Sequence, residues 1–167
     1  ARKMTLDTEL MGELVRFVSS HEVGHTLGLR HNFIGSAIYN PEDLRNIDFL
    51  KENGHATSIM DYARFNYIAQ PEDDIKILSP HIGAYDLMAI EWGYRWYPTE
   101  EEAKVKLEEF LKEHNSPLYR YSEAQSARTA IDPRAMSEDL GDNAMEAARL
   151  AIKNLKQIVP NIVEWTK

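Results

Sequence analysis

The 167-residue sequence predicts a mainly α-helical fold, and three observations carry that prediction. Leu10, Leu14, Phe17, Val18, His21 and His25 recur at the i, i+3, i+4 spacing of one helix face, a stripe expected to run out of the core. Helix-start chemistry recurs at Asn40-Pro41, Ser79-Pro80 and Thr99. No run alternates apolar and polar residues cleanly enough for a sheet; Pro117-Leu118-Tyr119-Arg120-Tyr121 alone reads as a short strand.

The elements follow from these signals. Thr5 or Asp7 caps a first helix, and Gly28 ends it by permitting a left-handed turn. Asn40-Pro41-Glu42-Asp43 opens a second helix that runs to Glu52 and stops at Asn53-Gly54. Residues 55–77 are irregular. Ser79-Pro80 opens a third helix ending near Gly93. Thr99-Glu100-Glu101-Glu102 is a capping box. It begins a charged helix to about His114, with Val105, Leu107, Phe110 and Leu111 near its buried side. Residues 115–141 are loop-rich, and Asp142 caps a final helix through Val159, interrupted by Pro160. No repeat, low-complexity tract or flexible linker is visible.

Composition sets outer limits. Hydrophobic residues make up 43% and charged residues 28%, an ordinary globular balance. Lys and Arg number 19 against 27 Asp and Glu, for a net charge of −8. An acidic chain without a basic cluster argues against nucleic acid and against an anionic membrane surface as partners. There is no cysteine, so disulfides and thiolate metal ligands are excluded. No apolar run approaches the roughly 20 residues of a membrane span.

One stretch carries chemistry: His21-Glu22-Val23-Gly24-His25-Thr26-Leu27-Gly28-Leu29-Arg30-His31. It fills every fixed position of H-E-x-x-H-x-x-G-x-x-H. His21 and His25 are four apart, so a helix stacks them on one face, where both imidazoles reach a single Zn²⁺. The turn at Gly28 returns His31 as a third ligand. Three histidines leave a fourth position for water, which distinguishes a catalytic zinc site from a closed structural one. Glu22 points about 100° away around the helix, where it serves that water as general base.

Ser58-Ile59-Met60-Asp61-Tyr62 follows the motif. The extended zinc motif with this Ser-x-Met-x-Tyr turn resembles the metzincin clan of zinc metalloproteases. The resemblance makes Met60 the hydrophobic floor beneath the three histidines. It makes Tyr62 a residue near the zinc that helps hold the oxyanion, as in the astacin-like and serralysin-like branches. Residues 78–94 resemble the helix that closes the catalytic domain after the turn, more narrowly that of large bacterial zinc-dependent proteases. The resemblance spans about residues 10–94.

The resemblance implies a zinc-dependent endopeptidase acting on peptide or protein substrates. It also implies a twisted β-sheet ahead of the active-site helix. Only about 20 residues precede His21, and they read as helix. The expected architecture is therefore the C-terminal part of a metzincin-like catalytic domain, lacking its N-terminal sheet, over residues 1–97. A helical extension over residues 98–167 packs on it. The missing half is then a partner, and the face it would cover allows self-association. The resemblance places the parent outside the cytoplasm: secreted, periplasmic or on the cell surface. The rival reading is a zinc-binding scaffold without turnover, in which the metal staples helix to turn.

Other residues carry plainer expectations. His55 is expected at the surface or in a hydrogen bond. His81 reads as a first-turn and His114 as a last-turn helix residue. Asp61 is a candidate second support near the site. Trp92, Tyr94, Trp96 and Tyr97 are expected to pack in the core against the extension rather than to wall a substrate site. Glu100-Glu101-Glu102 is a solvated helix start.

Overall fold

The computed structural model describes residues 8–63, 65–123 and 132–166. The architecture is mainly α, with no strand among the described residues. The helices are α1 (Thr8–Thr26), α2 (Ile47–Asn53), α3 (Ala84–Tyr94), α4 (Glu100–Glu113), α5 (Ala144–Ile158) and α6 (Ile162–Trp165), joined by short 3₁₀ turns.

The core is built mostly from the irregular chain between α1 and α3. Tyr39, Leu44, Leu50, Ala56, Ala63 and Ile68 are buried together with Leu140, Ala147 and Leu150, so α5 closes over the loops from the far end of the sequence. A smaller cluster joins Phe33, Ile34 and Ala135, with Tyr62 against it. Buried loops carry backbone groups that no ladder satisfies, and side-chain amides take that role. Asn66 Nδ2 donates to the Leu44 carbonyl at 2.7 Å. Gln70 Nε2 donates to Leu150 at 3.2 Å, and Asn154 Nδ2 donates to Tyr67 and Ala69 at 2.9 Å. Arg45 bridges Asp73 through two 2.7 Å bonds, and that guanidinium holds the Asp73 carboxyl below its usual range.

Several expectations are corrected. The apolar stripe of α1 does not enter a core: only His21 and Gly24 are buried, while Leu10 and Val18 are exposed. The second helix is broken. Asn40 Oδ1 does accept from Glu42 and Asp43, but only a 3₁₀ turn (Asp43–Arg45) follows. Asn46 then takes an extended conformation and caps α2 by accepting from Asp48 and Phe49. Gly54, at φ +68°, ends α2 where the sequence indicates. α3 starts at Ala84, after Gly83, so His81 lies in the preceding loop, 4.0 Å from the Glu13 carboxylate. Residues 117–121 hold a 3₁₀ turn (Pro117–Tyr119), not a strand, because proline fits a helical first turn and withholds a ladder donor. Asn143 caps α5 in place of Asp142. α4 buries only Phe110, leaving Val105 and Leu111 exposed. Trp92, Tyr94 and Trp96 face solvent, and His55 is fully buried, which overturns the surface alternative of its two expected placements. Thr99 caps α4 as expected, and His114 Nδ1 donates to the Phe110 carbonyl at its end. The proposed caps Thr5 and Asp7 lie outside the described residues.

Candidate metal centre

The last two turns of α1 place His21 and His25 on one face, with ring centroids 4.8 Å apart. The helix then closes with two capping bonds. Leu29 N–H reaches the Gly24 carbonyl, and Gly28 N–H reaches that of His25, both at 3.0 Å, with Gly28 at φ +88°. This is the Schellman pattern, and a glycine suits its left-handed residue. The chain is thereby reversed, and His31 Nε2 comes within 3.2 Å of His25 Nε2. One ligand atom from each of His21, His25 and His31 lies within 4.8 Å of the others.

Two backbone carbonyls orient the rings. His21 Nδ1 donates to Ile59 O at 2.8 Å, and His25 Nδ1 donates to Leu29 O at 2.9 Å. With the proton on Nδ1, each Nε2 keeps its lone pair for a metal. Burial, then the charges of His25 and His21, pull the His31 imidazole below its usual value, which favours the neutral ring that coordination needs. Tetrahedral zinc with Zn–N bonds near 2.0–2.1 Å sets its nitrogens ~3.3 Å apart, close to the His25–His31 approach. The donor set therefore fits zinc.

The turn after the motif packs against α1 and the segment around His31. Met60 is fully buried, and its sulfur rests against Gly24 of α1. Met60 O accepts from Asn32 N–H at 3.2 Å, tying the turn to the residue after His31. Tyr62 Oη lies 3.0 Å from His31 Nε2. Glu22 is exposed and lines a cleft of about 270 Å³ with Phe17, Val18, His21 and Tyr62. A larger hollow of about 710 Å³ beside α5 is lined by none of the three histidines. Asp61 does not face the cleft's lining set; it accepts from Ser36 N–H at 2.7 Å, and burial pushes its carboxyl up to about 8.

Three supporting residues escaped the sequence reading. Gly24 admits the methionine, and its only signal was its place between the two helix histidines. Asn32 is fully buried; its Nδ2 donates to Arg120 O at 2.9 Å and its Oδ1 accepts from Ser122 N–H at 3.0 Å. Asp86 accepts from Ser58 Oγ and from Ile59 N–H, each at 2.6 Å, and its carboxyl is raised by burial. Its one legible signal was its position three residues after Gly83, where a carboxylate caps a helix.

Across residues 3–167 the sequence matches the model of a family described as Met-zincin. The chain belongs to the Met-zincin family. Membership implies a zinc metallopeptidase type of domain, in accord with a three-histidine group that can hold a metal ion. The match extends through α4, α5 and α6, so the helices beyond α3 fall within the Met-zincin region. Neither the curated proteins nor the solved structures gave a match.

Proposed function

We propose that this Met-zincin is a zinc-dependent endopeptidase whose metal is held by His21, His25 and His31. The observation that carries the reading is the clustering of one ligand atom from each of the three histidines within 4.8 Å, beside a cleft that His21 lines together with Glu22 and Tyr62. Zinc, when bound there, supplies a Lewis acid that acidifies water and polarises a peptide carbonyl. Glu22 takes the proton of the attacking water and passes it to the leaving amine. Tyr62 Oη donates toward the oxyanion, and Met60 holds the floor under the rings. Glu22 stays off the metal, since a fourth protein ligand would close the site.

The test is Glu22→Ala assayed on an unstructured protein with and without chelator. Zinc content should persist while cleavage disappears; normal turnover by the variant would overturn the assignment. A scaffold without turnover is the second reading. It is favoured by the absence, among the described residues, of any strand to hold a peptide extended. Chelator-sensitive cleavage separates the two.

The exposed apolar face of α1, with Met11, Val15 and Val18, supports a covering element outside this sequence. We assign that role to the strand-bearing N-terminal part of the same catalytic domain, with residues 98–167 as the extension, and self-association of the chain as the competing cover. An extracytoplasmic location rests on the family resemblance; among the described residues no helix is long and apolar enough to cross a membrane.

A further inference from the structure

Asp86 sits at the third residue of α3 and accepts from Gly83 N–H at 2.8 Å, an ordinary capping bond. Capping alone does not account for the rest. The residue is only 2% exposed, whereas a capping carboxylate normally sits in water. Its Oδ1 accepts from Ser58 Oγ, and its Oδ2 also accepts from Ile59 N–H, 28 and 27 residues away in the chain. The α3 start is pressed against this turn: Tyr85 N–H donates to Thr57 O at 2.9 Å, and a Cβ on Gly83 would stand 2.1 Å from that oxygen. Glycine at position 83 thus sets how closely Asp86 approaches the turn.

Ile59 is pinned at both ends. Its N–H is held by Asp86, and its carbonyl accepts from His21 Nδ1 at 2.8 Å. Ser58 Oγ adds a bond from Met60 N–H at 3.1 Å, so the carboxylate organises three successive residues of the turn. We propose that Asp86 is a positioning residue of the metal centre, fixing the Ile59 carbonyl that orients the His21 ring and keeps its proton on Nδ1. The proposal rests on the reading of His21 as a metal ligand. Groups behind a ligating histidine commonly set metal affinity, at about 10–100-fold per lost partner.

The experiment compares wild type, Asp86→Ala, Asp86→Asn and Ser58→Ala. Zinc affinity is read by competition with a chromophoric chelator, and the His21 tautomer by long-range ¹H–¹⁵N NMR of the zinc-free protein. Asp86→Ala should bind zinc about 10–100-fold more weakly and lose the single Nδ1–H form of His21. Asp86→Asn keeps an acceptor for Ile59 and Gly83, and its amide donates to Ser58 Oγ, so it should restore both readouts. A folded Asp86→Ala with unchanged affinity and tautomer overturns the proposal. If that variant does not fold, Ser58→Ala decides: a moved His21 resonance with weaker zinc supports it, and neither change overturns it. A wild-type chain that takes up no zinc removes the metal reading instead, and the tautomer comparison then still tests whether Asp86 orients His21.

Discussion

The sulfur of Met60 occupies space that a side chain at Gly24 would need: a Cβ there would lie 2.4 Å from Sδ. The helix carrying two of the three histidines therefore rests directly on the methionine. Gly24→Ala brings two opposed effects. Replacing a helical glycine stabilises by about 1 kcal/mol, while overpacking a filled site costs about 1–3 kcal/mol. Net destabilisation in urea melts is expected, together with weaker zinc binding as Met60 is displaced. In the background of Met60→Ala the overlap vanishes, so Gly24→Ala should become neutral or stabilising; additive effects would contradict the contact.

Tyr62 Oη, 3.0 Å from His31 Nε2, offers a donor at the rim of the cleft. Tyr62→Phe removes that hydroxyl and retains the ring against Phe33, whose centroid lies 5.2 Å away. Cleavage should fall by about 10²–10³ in kcat, the usual loss for one oxyanion donor, with KM and zinc content little changed. Steady-state kinetics with metal analysis checks this. Equal loss of zinc and activity would instead make the hydroxyl a prop for His31.

Legibility in the sequence followed the range of the interactions. His21, His25, Gly28 and His31 act over one or two helical turns, so spacing alone brought them together. The caps at Thr99 and Gly54 are equally local. Residues whose partners lie far along the chain were not legible: Asn32 reaches Arg120, and Asp86 reaches Ser58. The α1 stripe misled for a related reason. Periodicity reports which face is apolar, and nothing in it says whether a partner for that face lies within the same chain. The split second helix turned on Asn46, whose side chain competes for backbone donors and starts a new helix where a simple periodic reading continues the old one.

Asn32 makes a small substitute for a strand pairing, donating to one backbone carbonyl and accepting from one N–H of the 120–122 segment. Its neighbour His31 is a candidate ligand, so the clasp couples the C-terminal half to the metal loop. Asn32→Ala removes both bonds; Arg120 is exposed and Ser122 half-buried, so water can replace the lost partner and the cost is about 0.5–1.5 kcal/mol for each bond. Urea melts should show the loss, and amide exchange at Ser122 should accelerate. Asn32→Asp keeps the acceptor for Ser122 and loses the donor to Arg120, so its cost should be selective for the second bond. Unchanged Ser122 exchange in Asn32→Ala would show that the clasp is not formed in solution.

Asp61 gives the chain a pH dependence of defined sign. Burial, only partly offset by the bonds from Ser36, pushes its carboxyl up to about 8, from an ordinary value of 3.8 in the unfolded chain. Among the described residues its Oδ1 has no hydrogen-bond partner. Between those two values the folded state binds a proton that the unfolded state does not, so stability falls as pH rises. The contribution is complete below pH ~4 and fully lost above pH ~8. Asp139, raised by burial and bonded through Ser36 Oγ at 3.0 Å, acts in the same sense. Asp61→Asn retains an acceptor for Ser36 N–H without an ionisable group. Its stability relative to wild type should therefore rise steadily from pH 5 to pH 8 in urea melts with chelator present, which keeps the histidines metal-free. A difference that stays flat across that range would mean Asp61 is ionised in the folded protein throughout.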